Sequence, residues 1–174
     1  FDLSRIQTTA PVFDIDKLRW MNGEYLRSYQ PSALSHQIYD FFEGKYQQER
    51  IKNVLPLVVE RMKTLKEFWS LAGFFFERPK ERERPLKVDP LKVAVHALEA
   101  CVWNHDAMEQ AIREASEKAG MKAKDVFMEL RIAITGKSVG PPLLESLEIL
   151  GREEVLARLK RINPASPAGG EVTN

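Results

Sequence analysis

Residues Arg131 to Gly151 read RIAITGKSVGPPLLESLEILG, and this stretch limits the possible folds more than any other. Val126, Phe127, Leu130, Ala133 and Ile134 recur at helical spacing and predict a helix that stops at Thr135-Gly136, because glycine accepts the left-handed backbone that closes a helix. Lys137, Ser138, Val139 and Gly140 carry no period and read as a loop. Pro141-Pro142 cannot continue a helix but can begin one, since a first-turn proline gives up only a donor that was already orphaned. Leu143, Leu144, Leu147 and Leu150 then resume helical spacing. Such a helix-loop-helix leaves spare backbone donors at the start of its second helix and sets the Arg131 guanidinium near the edge of the first helix's apolar face. A ligand rich in hydrogen-bond acceptors suits it.

The rest of the chain carries the same period. Asp14 or Asp16 is a reasonable cap for a helix bearing Leu18, Met21, Tyr25 and Leu26, although Asn22-Gly23 predicts a kink or a division into two short helices. Pro31-Ser32 opens a helix with Leu34, Ile38, Phe41 and Phe42 inward, stopped by Gly44. Ile51, Val54, Leu55, Val58 and Met62 form one helical face, with Pro56 marking a kink or a new start nearby. Leu65, Phe68, Trp69 and Ala72 continue after a break near Lys63-Thr64. The run RPKERER, Arg78 to Arg84, lies between Pro79 and Pro85 and alternates in charge, so it reads as a solvated crossover and a poor phosphate clamp. Asp89-Pro90 then starts a second unit, with Leu91, Val95, Leu98 and Val102 on one face. Asp106 is the expected cap for a helix carrying Met108, Ile112 and Ala115 as far as Gly120. Val155, Leu156, Leu159 and Ile162 mark a last helix, and the apolar-poor tail PASPAGGEVTN is expected to be mobile. The sum is an all-α chain built as two consecutive packed helical bundles, with a boundary near residue 88.

Composition narrows the function classes. With 44% hydrophobic residues the chain can fill a core, and its single cysteine, Cys101, permits no internal disulfide. No apolar run approaches a membrane span, and FDLSRIQTTA has neither the basic start nor the apolar core of a signal peptide, so the cytoplasm is the expected compartment and no membrane the expected partner. A net charge of +1 excludes a generally cationic surface. The distribution is uneven, however: residues 43 to 94 hold twelve basic and eight acidic side chains, against ten and twelve in residues 95 to 174. His96, Cys101 and His105 lack the companions that a zinc site needs, and no GxGxxG, GxxxxGK[ST] or GxSxG is present. The reading for catalytic residues and for metal ligands is none.

The stretch RIAITGKSVGPPLLESLEILG, together with VFDIDKLRWMNGEYLR from Val12 to Arg27, resembles the carboxyl-terminal, anticodon-binding part of bacterial-type glutamyl-tRNA synthetases, over roughly residues 1 to 162. The resemblance implies a helical anticodon-binding cage: a connecting element over 1–30, a first subdomain over 31–88, a second over 89–163 and a flexible tail over 164–174. It implies recognition of tRNA(Glu), chiefly its anticodon loop, by a monomer that does not bind DNA, within an enzyme that joins glutamate to this tRNA. The ATP signatures of that enzyme, resembling HIGH and KMSKS, are not found, so no cofactor is expected in this chain and ATP and magnesium belong to the parent's catalytic half. Arg131 matches a base-reading arginine, and Gly140, Pro141, Pro142 and Leu143 match the segment that contacts the first anticodon base. Arg61 matches the arginine of discriminating enzymes, which favours cytosine at the third position. Lys17, with Arg19, matches a backbone-contacting position, and Arg113 is a further candidate. Pro142 after Pro141 departs from the pattern that can have glycine there, and stiffens the loop. From the residues alone, a helical interaction or scaffold domain without an RNA role is the alternative, since it needs the same amphipathic helices. The bases of an anticodon are read by stacking and by hydrogen bonds to their edges, which is the chemistry a guanidinium and a turn's backbone can supply.

Overall fold

The computed structural model describes residues 14–162. The irregular start expected over 1–13 and the tail expected after residue 163 lie outside the described residues. Nine α-helices account for most of those described: α1 (Ile15–Ser28), α2 (Pro31–Phe41), α3 (Gln48–Val58), α4 (Glu67–Ala72), α5 (Val88–Ala100), α6 (His105–Lys118), α7 (Ala123–Thr135), α8 (Leu143–Leu150) and α9 (Arg152–Ile162). Two single turns of 3-10 helix, Val59–Arg61 and Gly73–Phe75, follow α3 and α4. Among the described residues there is no strand, as the helical spacing requires.

The period of the apolar residues translates directly into burial in α3, where Ile51, Val54, Leu55 and Val58 are sealed in the core together with Met62. Pro56 neither ends nor divides that helix, which tightens into the 3-10 turn three residues after it and breaks at the extended Met62. Asp14 caps α1, its Oδ1 accepting from the Lys17 N–H at 3.0 Å. Asn22-Gly23 does not kink α1. The helix runs through, and Gly23 is buried because a Cβ there would stand 3.3 Å from the Met62 carbonyl oxygen. Asn22 Nδ2 donates to the Lys63 carbonyl, so this pair is a helix-to-backbone contact rather than a turn. Much of the apolar side of α1 is uncovered: Trp20 is 58% and Tyr25 63% exposed.

Three starts and faces differ from the sequence expectation. α5 begins at Val88, ahead of Asp89-Pro90 and with no side-chain cap; Glu129 from α7 accepts from the N–H of Lys87, the residue before it, at 3.0 Å and holds the start of the helix in place. α6 is capped by Asn104, whose Oδ1 accepts from the Ala107 N–H at 2.9 Å, two residues before the expected Asp106. Phe41 and Val102, expected to point inward, are exposed, since their helices end at or before them.

The core is continuous from Leu26 to Leu159. Within the second half, α5 packs on α6 and α7, and α9 closes over α5, α7 and α8. α8 also lies against α3 and the Gly73–Phe75 turn, so this one short helix belongs to the walls of both halves. The crossover Arg78–Arg84 is not simply solvated. Arg84 forks onto Glu129 (Nη2 to Oε1 2.6 Å, Nη1 to Oε2 3.1 Å), and Glu129 is only 1% exposed. Burial pushes the Glu129 carboxyl up, but the bonds from Arg84 and the Lys87 N–H outweigh it and hold the group below its ordinary value. At the other end Arg78 forks onto Glu154 (2.9 and 2.6 Å), which also accepts from Arg158 Nε at 2.7 Å. Arg158, 5% exposed, reaches the Ile134 carbonyl at 3.2 Å. The alternating charges are thus spent in fixing a strap.

Arg78's hydrogen bonds, opposed by burial and assisted by Arg158, hold the Glu154 carboxyl down to about 2 from an ordinary 4.5. A carboxyl whose pKa falls on folding contributes stability above its unfolded value, and that contribution is lost as pH falls through the folded one. Glu154→Gln is therefore expected to cost on the order of 2 kcal/mol at neutral pH, allowing for partial solvent screening. The gap from the unsubstituted protein should close as the pH of a urea unfolding series is lowered from 4.5 toward 2.

Candidate nucleic-acid interface

The helix-loop-helix at Arg131–Gly151 forms as its residues dictate. α7 ends at Gly136 with φ +80°, and α8 begins directly after Pro142. Arg131 sits one turn before the end of α7, half-buried, and its Nη1 donates to the Pro141 carbonyl at 2.6 Å. The guanidinium therefore grips the loop that follows it, and no other hydrogen bond of that group occurs among the described residues. Gly140 lies alongside: a Cβ on it would be 3.9 Å from Arg131 Nη1, in ordinary contact.

Arg61 comes to the same place from a distant stretch. It closes the Val59–Arg61 turn, is exposed, and its positive charge acts on Arg131. Burial, then Arg61, lower the Arg131 pKa from its ordinary value, with Glu145 on α8 opposing. An arginine so placed stays charged, so the site holds two like charges with one partly exposed carboxylate near them. α1 sets the position of the turn carrying Arg61, through Gly23 against Met62, the bond from Asn22 to Lys63 and a 3.4 Å bond from Arg27 Nη1 to the Glu60 carbonyl.

The other sequence candidates divide. Pro141 and Leu143 are buried, with Leu143 6% exposed, so their side chains serve the core and any contact they make outward is through the backbone. The first-turn N–H groups of α8 have no intrahelical acceptor and stand beside them. Arg113 on α6 is bound to Glu109 (2.8 and 2.6 Å) and lies 5.7 Å over the Phe127 ring, one turn from Arg131 along α7. Lys17 is exposed on α1, and its side chain has no hydrogen bond among the described residues. No group of three or more His, Cys, Asp or Glu able to hold a metal ion occurs among the described residues, and His105 is engaged with Asp106 at 3.0 Å.

Sequence reasoning missed the support beneath the loop. Glu83 of the strap accepts from the Ser138 N–H at 2.8 Å and from its hydroxyl at 2.6 Å, and the Glu83 N–H donates to the Gly136 carbonyl at 2.9 Å. Lys137 Nζ donates to the Ser70 carbonyl at 2.7 Å, tying the loop to α4. Ser70, Glu83, Gly136 and Lys137 are among the walls of a cleft of about 660 Å³ between α4, the strap and the loop. A spacing of fifty-five residues between Glu83 and Ser138 leaves no sequence signal.

Residues 24–163 match the anticodon binding domain family. The chain belongs to the anticodon-binding-domain family. A glutamate–tRNA ligase of Acidothermus cellulolyticus is 35% identical over 192 residues, which takes in 98% of this chain and 38% of that protein. Glutamate–tRNA ligase 1 of Caldanaerobacter subterraneus subsp. tengcongensis is 32% identical over 177 residues, covering 92% of this chain and 37% of that protein. This anticodon-binding domain thus spans well under half the length of the relatives it matches, and the match lies in their C-terminal part. The crystal structure of a glutamate tRNA ligase from Elizabethkingia meningosepticum, in complex with its amino acid, superposes with a TM-score of 0.75 at 20% identity over 95% of this chain and 35% of that one. At that identity the likeness is one of fold.

Gly136 is where strap and loop meet, since a Cβ there would stand 2.8 Å from the Glu81 carbonyl oxygen. Gly136→Ala is expected to cost roughly 2 kcal/mol or more, through its positive φ and this backbone clash, read as a lowered urea midpoint at unchanged helicity.

Proposed function

We propose that this anticodon-binding domain reads the anticodon loop of tRNA(Glu), as the non-catalytic part of a glutamate–tRNA ligase that works as a monomer in the cytoplasm. The ATP-dependent attachment of glutamate, with its magnesium, belongs to the portion of the relatives that this chain does not span. Residues 1–30 are the connecting element, and 31–88 and 89–163 the two helical subdomains. The observation that carries the reading is Arg131, half-buried and bonded to the Pro141 carbonyl beside the uncommitted donors at the start of α8, with the charge of Arg61, from the other side of the crossover, acting on it. Unpaired bases and a loop's phosphates supply the acceptors that such a site lacks.

The parts divide the work by chemistry. Arg131, already bonded to Pro141, presents its remaining donors at a fixed angle to a base edge. The backbone from Gly140 to Leu143 supplies donors and acceptors whose positions the two prolines hold. Arg61, exposed and in no ion pair among the described residues, serves the third anticodon base, where a donor-only side chain favours the cytosine acceptor edge; this makes the enzyme a discriminating one. Lys17 and Arg113 add charge toward the backbone, Arg113 by leaving Glu109.

Fluorescence titration with an RNA hairpin bearing CUC and one bearing an unrelated anticodon tests the reading. A preference for CUC is expected, and equal weak binding of both would favour a scaffold domain. Arg131→Ala should cost about 1 to 3 kcal/mol on the matched hairpin alone, as for other base-edge contacts, with the circular dichroism spectrum unchanged. Arg61→Gln should narrow the preference for CUC over CUG, and a ratio equal to that of the unsubstituted protein would remove the discriminating assignment.

A further inference from the structure

The loop that carries the reading groups is gripped at both ends, and only one grip comes from its own helix pair. At its far end Arg131 holds the Pro141 carbonyl. At its near end the holding group is Glu83, on the crossover, which takes both the N–H and the hydroxyl of Ser138 on one carboxylate oxygen. The crossover cannot drift from under the loop, because Arg78 is forked onto Glu154 at one end and Arg84 onto the buried Glu129 at the other. Its backbone also touches the loop directly, through the Glu83 N–H to Gly136 and the Glu81 carbonyl against Gly136 Cα. The Ser138 hydroxyl and N–H hold the Glu83 carboxyl below its ordinary range, so it is charged at neutral pH.

We propose that Glu83 is a positioning residue for base reading: it fixes Ser138 and thereby the Gly140–Pro141 backbone on which Arg131 closes. This rests on the anticodon reading above. A carboxylate beside an RNA site repels phosphate, so its presence there lowers general affinity and is compensated only by the order it imposes. Two opposed effects follow from its removal. The matched hairpin loses the pre-set geometry, while an unrelated hairpin, held by charge alone, does not lose affinity.

The test titrates the full 174-residue chain, as Glu83→Ala, Ser138→Ala and the double variant, with the CUC hairpin and one of unrelated anticodon. Glu83→Ala should weaken the matched hairpin roughly three- to tenfold, as loss of a charged hydrogen bond that orders a site does. It should leave the unrelated one unchanged or tighter. The double variant should lose no more than Glu83→Ala, because the Ser138 hydroxyl then has nothing to hold; additive losses would overturn the proposal. Hydrogen exchange at the Ser138 amide should quicken in Glu83→Ala while exchange in α7 stays constant. A matched-to-unrelated ratio unchanged by Glu83→Ala in a protein that does discriminate would overturn this role alone. No discrimination by the unsubstituted protein would overturn the anticodon reading and this role with it.

Discussion

A carboxylate in the middle of a helix's apolar face has to be answered, and in this molecule the answer to Glu129 organises everything around it. Left unpaired at 1% exposure, it would cost several kcal/mol. Arg84 and the Lys87 N–H meet it instead, which fixes the end of the crossover, the first turn of α5 and the flank of α7 with one group. Once that end is set, the arm before it can only lie where Arg78 finds Glu154 and Glu83 finds Ser138. Burial of a charge here converts a run of alternating surface residues into a fixed wall.

The site built on that wall works by shortage. The charge of Arg61 acts on an Arg131 guanidinium that is partly removed from water, and the carboxylate Glu145 faces both Arg131 and His105. A protein arranged only for stability would put a second acid there. In the reading proposed above, the unfilled donors are what an incoming partner would take, as at anion sites on helix starts, and the half-buried setting of Arg131 strengthens each bond it makes.

Most of the helices were legible because burial in them follows the period of the apolar residues: Ile51, Val54, Leu55 and Val58 could face only one way. Gly136 was legible because one residue type accepts its φ of +80°. Arg131 and its loop were marked by the helix stop and the double proline that frame them. What could not be read depends on chain segments far apart in sequence. Asn22-Gly23 has the composition of a turn, and only the Met62 backbone lying against it makes glycine a packing residue inside a helix. α5 begins at Val88, ahead of Asp89-Pro90, where a carboxylate from another helix, Glu129, holds the preceding Lys87 N–H. Pro141 looks like a loop residue in sequence and is buried in space. Glu129 did leave a trace, an acid in register with Val126 and Ala133, which should have called for a cationic partner.

The placement of α8 limits how this fold can be remodelled. Its leucines fill the second bundle while its flank leans on α3 and the Gly73–Phe75 turn. A recombination joint in the crossover would part the helix from half its neighbours. Any transplant intended to give the scaffold a different reading loop would have to carry those earlier segments with it, so evolution and engineering alike must exchange the two bundles as one block.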